Sequence, residues 1–460
     1  MADWIAALQA ALGEAGVDTG QAASDKAWSA WGRMGVPTAI AYPRSTEQAA
    51  EVLKIARAAG VPVVTWGGKT GLVDGASAEG ALALSLEKMN RILDIDPEAG
   101  TMTVEAGCVL QSACEAADDK GLLLPLDLGA RGSATIGGNI ATNAGGNRVL
   151  RYGMMRDMVL GLEAVLADGT IVSAMNDLIK NNAGYDLKQL FIGSEGTLGV
   201  VTKAVLRLRP KPVSQNTAFL AVSEFDNLPK LLRRLERDLG GTLSAFEVMW
   251  ADFYQLVTTE PARGRPPLAY GQPYYVLVES LGADPAEDEP RFEKVLASAL
   301  EDEVIVDAVI AKSDAERGAM WALRDDVGQT MRNGPMIAFD VSLKIRDMNA
   351  YVDKVRADIK ARWPASAPTM VFGHLGDGNL HVIAAVGETS PETRHAVEEI
   401  VYGPLEALHG SISAEHGVGL QKRDFLRLSR SPAEIALMRA LKQTLDPGNI
   451  LNPGKVLAPA

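Results

Sequence analysis

The sequence predicts an α+β protein of two or more regions, and three observations point there. Residues 36–66 read as strand, helix, strand, and then give way to short strands without regular βαβ repetition. The stretch "RLRPKPVSQ", residues 207–215, breaks the pattern with prolines and charges. Beyond it, pairs of strands surround single helices, which suggests a split βαβ sheet with helices on one face. A chain of 460 residues is also too long for one ordinary core.

Trp4, Ile5, Leu8 and Leu12 recur at helical spacing, so the chain opens with an amphipathic helix. This start has no basic region and no unbroken apolar run, so it is not read as a signal peptide. "TAIAYPRS" is extended, "TEQAAEVLKIARAAG" is a helix with Thr46 as N-cap and Gly60 as its stop, and "VPVVTW" is a buried strand. "ALALSL", "TMTVEAG", "GLEAVLADGTIVSA" and "LGVVTKAVLRLRP" are further strands, the third containing a hairpin at "ADGT". In the second region, strands "NTAFLAVSEF" and "LSAFEVMW" flank a helix at 227–239. Strands "YYVLVES" and "VIVDAVI" flank another at 286–300. Helix 313–332, strand 337–343, helix 347–362 and a last helix at 433–445 follow.

Composition is that of a globular protein, 47% hydrophobic and 22% charged. The net charge of −13 argues against nucleic acid or an anionic membrane as main partner. Two cysteines, Cys108 and Cys114, suggest a reducing compartment, and they are too few for an iron–sulfur cluster. No stretch reaches transmembrane length, so a cytoplasmic location is the expectation.

Three loops are dominated by glycine and small polar residues. The first, "VVTWGGKTGLVDGAS", follows a strand. Its Gly68-Lys69-Thr70 resembles the end of a nucleotide-hydrolysing P-loop, but the first glycine of that pattern would fall on Val63. What remains is a run of glycines that frees backbone N–H groups to converge on an anion. Alone, this loop reads more readily as a plain glycine turn, since short motifs often match by chance. "GSATIGGNIATNAGGN" and "FIGSEGTLGVVT" repeat the composition. One phosphate would need one loop; three suggest a dinucleotide held in an extended pose.

These segments, with "PLDLGARGSATIGGNIATNAGGNRVLRYG" and "NNAGYDLKQLFIGSEGTLGVVT", resemble the vanillyl-alcohol-oxidase flavoproteins. The match is to the branch of FAD-linked D-2-hydroxyacid dehydrogenases, which includes D-2-hydroxyglutarate and D-lactate dehydrogenases and the glycolate oxidase D subunit. The resemblance implies a PCMH-type FAD-binding domain, a ferredoxin-like substrate cap and a C-terminal helical segment. It assigns Gly67, Gly68, Lys69, Thr70, Gly71, Thr135, Gly138, Thr142, Gly145, Glu195 and Val200 to FAD, with Asn452 returning to the flavin. Lys69 stands where many relatives have glycine. The first loop has no His or Cys, so FAD is expected to be dissociable.

Three of the five histidines sit in unusual settings. Asp377-Gly378 at the centre of "GHLGDGNLH" is a two-residue hairpin signal. A turn there would pair His374 with His381 on one face, with Cβ atoms roughly 5 Å apart. Two histidines on a strand surface are the alternative. "ISAEHGVG" adds Glu415 and His416. Two His and one Glu form a catalytic zinc-type ligand set with open positions, and manganese is the alternative ion. His395 and His409 lie in a helical stretch and are read as having no metal role.

"HLGDGNLH" and "SISAEHGVGLQKRD" also resemble the dehydrogenase motifs. The resemblance makes His374, His381 and Glu415 the metal ligands, His416 the base and Asn379 a substrate contact. It assigns Arg324 in "MWALRDDVGQ" to the substrate carboxylate, a role that suits its bidentate fork. Relatives that take the five-carbon diacid often carry another cation just before "FDVSL". Here Met336, Ile337 and Ala338 fill that region; Lys344 and Arg346, beyond it, are the compensating candidates. This counts against 2-hydroxyglutarate.

The predicted spans are a helical segment 1–35, an FAD domain 36–212, a cap with the metal site 213–432, and a C-terminal helix and tail 433–460. The expected activity is FAD-dependent oxidation of a D-2-hydroxy acid. A soluble acceptor such as electron-transfer flavoprotein is expected, a quinone being the alternative, and a homodimer stands as a further expectation. The rival readings are a metal-free alcohol or lactone oxidase on the same fold and a non-catalytic FAD-binding subunit of a glycolate-oxidase-type complex.

Overall fold

The computed structural model describes residues 2–459, so Met1 and Ala460 of the terminal spans lie outside the described residues. The chain divides into two compact units. The first takes residues 2–146, 153–211 and 415–459; the second takes 147–152 and 212–414. Two boundaries therefore differ from the sequence spans. The second unit ends at Ala414 rather than 432, because the segment after it bonds to the first unit: Leu420 N donates to Val73 O at 2.9 Å, and Val418 N to the Glu195 carboxylate at 2.7 Å. Residues 147–152 leave the span 36–212 for the second unit, where Arg148 pairs with fully buried Glu279 at 3.0 Å.

In the first unit, strands Ala39–Ala41, Leu82–Ser85 and Val63–Trp66 run parallel, and Val17–Thr19 closes the edge antiparallel. The opening 35 residues thus contribute a strand to this sheet as well as the helix Ala2–Leu12, whose Leu8 is fully buried. Helix Thr46–Ala59 connects the parallel strands, as a parallel crossover requires. Its cap is Ser45, which accepts from Gln48 N at 3.3 Å, rather than Thr46. Thr46 is instead buried, with its hydroxyl donated to Glu163. Gly60 ends the helix at φ 63°, the left-handed region glycine enters without penalty. A second, antiparallel sheet runs Ile171–Ala174, Val159–Val165, Val200–Arg207, Thr101–Glu105, Ile92–Asp96. Its first pair is the "ADGT" hairpin, closed by Leu166 N to Thr170 O at 2.9 Å.

The second unit is built on one seven-stranded antiparallel sheet. In chain order the strands are β1 Ser214–Val222, β2 Leu243–Trp250, β3 Tyr274–Gly282, β4 Asp307–Ile310, β5 Ile337–Ser342, β6 Met370–Gly373 and β7 Asn379–Ala384. Their spatial order is β4-β1-β3-β2-β6-β7-β5. The first four carry the 4-1-3-2 order of a split βαβ pair, with helices Asn227–Asp238 and Pro285–Glu301 as crossovers. The last three extend the sheet beyond β2.

The expectation of helices on one face is corrected. Along β2 and β3 every residue is buried, so both faces are covered. Helices Ala251–Thr258 and Asp314–Asp325 pack one core face with Phe219, Met249, Tyr275, Leu277, Phe372 and Ile383. The crossover helices pack against β1 and β2, whose alternate residues Leu220 and Val248 are fully buried. The expected helix 313–332 stops at Asp325 and continues as a 3-10 turn, Val327–Asn333. Among the described residues no helix is long and apolar enough to cross a membrane.

Candidate active site

A cleft in the first unit gathers the glycine loops. Strand Val63–Trp66 delivers the chain into Gly67–Gly71. Gly67, Gly68, Lys69, Thr70, Gly71, Thr135, Gly138, Thr142, Glu195 and Val200 line it. So do Asn452 and His416, which the C-terminal segment brings back; Gly145 is buried outside the lining. Asn452 arrives because Leu451 bridges Val63 in parallel and Asn452 N donates to Val63 O at 2.7 Å.

The cleft suits a pyrophosphate-bearing ligand on its own geometry. Among the described residues, none accepts from the backbone N–H groups of residues 67–71. Such unpaired amides form an anion nest. A Cβ on Gly68 would lie 1.9 Å from Ser133 O, so only glycine lets the two loops meet. Asn139 Nδ2 and Asn452 Oδ1, both on the cleft wall, are buried without a hydrogen-bond partner. Lys69 sits at φ 54° and turns its ammonium to Lys26 O at 2.9 Å, over the Trp66 ring. Burial pushes its pKa down.

Glu195 also lines the cleft, but its carboxylate faces a turn of the same unit. It accepts from Val418 N at 2.7 Å and Gly419 N at 2.9 Å. Burial pushes this carboxyl up, partly offset by those two N–H groups and by Lys422. His416, just before that turn, is partly exposed, with Nε2 3.9 Å from Glu415 Oε1.

The second unit carries a charged cluster on one sheet face. The expected pairing of His374 with His381 is corrected: Phe372 stands opposite His381. Residues 375–377 form a 3-10 turn closed by Gly378 at φ 90°, so the loop is longer than a two-residue turn and His374 lies past the end of β6. The two imidazoles still meet edge to face, with centroids 5.3 Å apart. His374 Nδ1 donates to Glu247 Oε1 at 2.6 Å, and its Nε2 accepts from Arg324 Nη2 at 2.9 Å.

Arg324 ends helix Asp314–Asp325 and is buried, not on the helix surface. Its Nε donates to Glu247 Oε2 at 2.8 Å, and the guanidinium lies 5.5 Å from the Phe372 centroid. Burial raises the Glu247 carboxyl, but His374 and Arg324 outweigh it and hold the group at about 2.

Asp340, fully buried on β5, faces His381 across the sheet. It accepts from Asn379 Nδ2 at 2.7 Å, Ala414 N at 3.1 Å and Ser413 Oγ at 3.2 Å. Asn379 Oδ1 is buried without a hydrogen-bond partner. Lys344 is exposed at the start of helix Ile345–Arg362, outside this network. His395 is exposed on helix Pro391–Ala407, and His409 is exposed just past its end.

Sequence reasoning missed Glu247 and Asp340. The signal was available: each is a lone carboxylate inside an otherwise apolar strand, "SAFEVMW" and "IAFDVS". Buried carboxylates need partners, so such positions mark polar sites.

A family model for an FAD binding domain matches residues 37–174, and one for the C-terminal domain of FAD linked oxidases matches 211–456. The chain is 41% identical over 418 residues to D-2-hydroxyglutarate dehydrogenase, mitochondrial, of Bos taurus, covering 90% of this chain and 76% of that one. It is 40% identical to D-2-hydroxyglutarate dehydrogenase of Xanthomonas citri, covering 91% of this chain and 89% of that one. The chain belongs to the FAD-linked oxidase family, in its D-2-hydroxyacid dehydrogenase branch. This FAD-linked oxidase is therefore an FAD-dependent oxidoreductase. Its fold is shared with p-cresol methylhydroxylase, at TM-score 0.77 and 18% identity over 99% of this chain and 96% of that one. It is also shared with 4-ethylphenol oxidase from Gulosibacter chungangensis, at TM-score 0.76 and 18% identity over 99% and 97%. These likenesses speak to the PCMH-type fold alone.

Proposed function

We propose that this FAD-linked oxidase converts a D-2-hydroxy acid to the 2-keto acid, with a divalent cation and a histidine base. The observation that carries the reading is the buried cluster of Glu247, Arg324 and His374, with His381 facing Asp340 on the same sheet face. A guanidinium held in place is the group to orient a substrate carboxylate. Asn379, with its unpaired Oδ1, is the polar contact for the hydroxyl end of the substrate. His416 takes the hydroxyl proton; imidazole works as a base near neutral pH. FAD, when bound, supplies the hydride acceptor at N5.

His374, His381 and Glu415 are the proposed ligands of zinc or manganese, with Asp340 as an added carboxylate; His374 would bind through Nε2, which requires it to release Arg324. Imidazole and carboxylate are the donors such ions take. The order of the chain supports this set, because Ala414 N is bonded to Asp340 and Glu415 is the next residue. A divalent cation there would polarise the substrate hydroxyl as a Lewis acid.

The relatives are named for D-2-hydroxyglutarate. In this chain the residue two before Asp340 is Ala338, and its sheet-face neighbours are Ile383 and Met370. None of these three residues is a cation, which favours a short monocarboxylate such as D-lactate over the five-carbon diacid. Electron-transfer flavoprotein, or a quinone, is the proposed acceptor, and a homodimer the proposed assembly.

The test is turnover of D-lactate, D-malate and D-2-hydroxyglutarate, each beside its L-form, with an artificial electron acceptor and metal analysis of the same sample. Turnover of D-acids alone, led by D-lactate and lost on chelation, is the expected result. Equal turnover of L-acids, or full activity in metal-free protein, would overturn the reading.

A further inference from the structure

Glu195 is held in an unusual way. It has a positive φ of 52°, a left-handed region that glycine, unlike glutamate, enters without strain. Gly193 at 79° and Gly196 at 72° flank it. Its backbone is fixed at both ends: N donates to Ala141 O at 2.8 Å, and O accepts from Asn452 Nδ2 at 2.6 Å. This conformation aims the carboxylate at the turn after His416, where one oxygen takes Val418 N and the other Gly419 N. At Gly417, φ 85°, a Cβ would sit 2.8 Å from Glu195 Oε1, so the turn closes tightly on the carboxylate. The opposite side of the turn is fixed too, since a Cβ on Gly419 would lie 2.0 Å from Val73 O. A buried carboxylate with two backbone donors is a strong, directional clamp.

We infer that Glu195 is a positioning residue for His416: its carboxylate fixes the 417–419 turn and thereby the place of the imidazole on the cleft. The inference rests on the reading of His416 as the base. Strain at Glu195 is retained because it lets one residue join the cofactor loop to the base-bearing turn. An uncharged amide of the same size cannot replace it, since the NH₂ group would face one of the two N–H donors.

The test compares the FAD-loaded Glu195→Gln, His416→Ala and double variants with the parent protein. Three readouts are taken: flavin absorbance for loading, the anaerobic rate of flavin reduction by D-lactate or D-2-hydroxyglutarate, and the substrate concentration at half-maximal rate. Glu195→Gln is expected to keep FAD, to reduce it about 10–100-fold more slowly, and to leave the half-saturating concentration within about twofold. The double variant is expected to be no slower than His416→Ala, because both changes disable one step. Glu195→Asp keeps the charge but retracts it, and is expected to lie between parent and Gln. Parent-like reduction in Glu195→Gln, or fully multiplicative losses in the double variant, would overturn the inference. So would a Gln variant that fails to load FAD while Asp restores loading and rate together, which would make Glu195 a fold element. Normal reduction in His416→Ala would instead remove the base reading itself, a separate outcome.

Discussion

The two units of this FAD-linked oxidase present their chemistry in opposite ways. The first builds its cleft from backbone: unpaired amides of residues 67–71, loop contacts only glycine permits, and a C-terminal strand bridge that returns Asn452. The second builds its cluster from side chains brought together by sheet register, with Glu247, His381 and Asp340 on three different strands and Arg324 on a helix. Backbone sites leave a local mark in sequence. Register sites leave almost none, because the partners are far apart in the chain.

The sharpest test of the contrast is at the base. His416→Ala should hold FAD yet lower the anaerobic reduction rate by roughly 10²–10⁴-fold. Loss of flavin from that variant would instead tie His416 to the cofactor. Gly68→Ala should do the reverse. Its Cβ has no room against Ser133 O, so the protein should purify with little flavin absorbance, and added FAD should restore little. A fully loaded Gly68→Ala protein would contradict the backbone account of the cleft.

Next in size is Glu247→Ala, which strands Arg324 and His374 in a buried site. Removing one partner of a buried ion pair costs about 3–5 kcal/mol, so urea unfolding should shift to clearly lower concentrations. A shift within error would mean the cluster is hydrated. The same carboxyl predicts an acid response. Its folded pKa lies below its unfolded value of 4.5, so its stabilising effect is full above about 4.5 and fades as pH falls toward about 2. Glu247→Gln should flatten that part of the stability profile; an unchanged profile would remove Glu247 as a source of acid sensitivity. Smallest of all, Lys344→Ala should change half-saturating substrate by no more than about twofold, since the side chain is exposed and outside the cluster. A large change would restore Lys344 as a substrate residue.

The legibility of the fold follows the same divide. Ferredoxin-like strand order in the second region could be read because each strand–helix pair is local, and the "ADGT" hairpin because Asp-Gly sets its own turn. Helices on the second sheet face could not, since a strand buried on both sides shows no alternation. The hairpin reading of "GHLGDGNLH" failed by its register: Gly378 closes a longer turn, and Phe372 takes the place opposite His381. Motif resemblance singled out Arg324 and Asn379, which lie against the buried carboxylates Glu247 and Asp340. Glu247 and Asp340 themselves were not singled out, although a carboxylate in an apolar strand was the available clue.

The most direct measurement is the anaerobic visible spectrum of the purified, metal-replete protein, with D-lactate, D-malate and D-2-hydroxyglutarate each added beside its L-form. Rapid bleaching of the flavin band by a D-acid and none by its L-form is the expected result. A flavin band that no 2-hydroxy acid bleaches would contradict it.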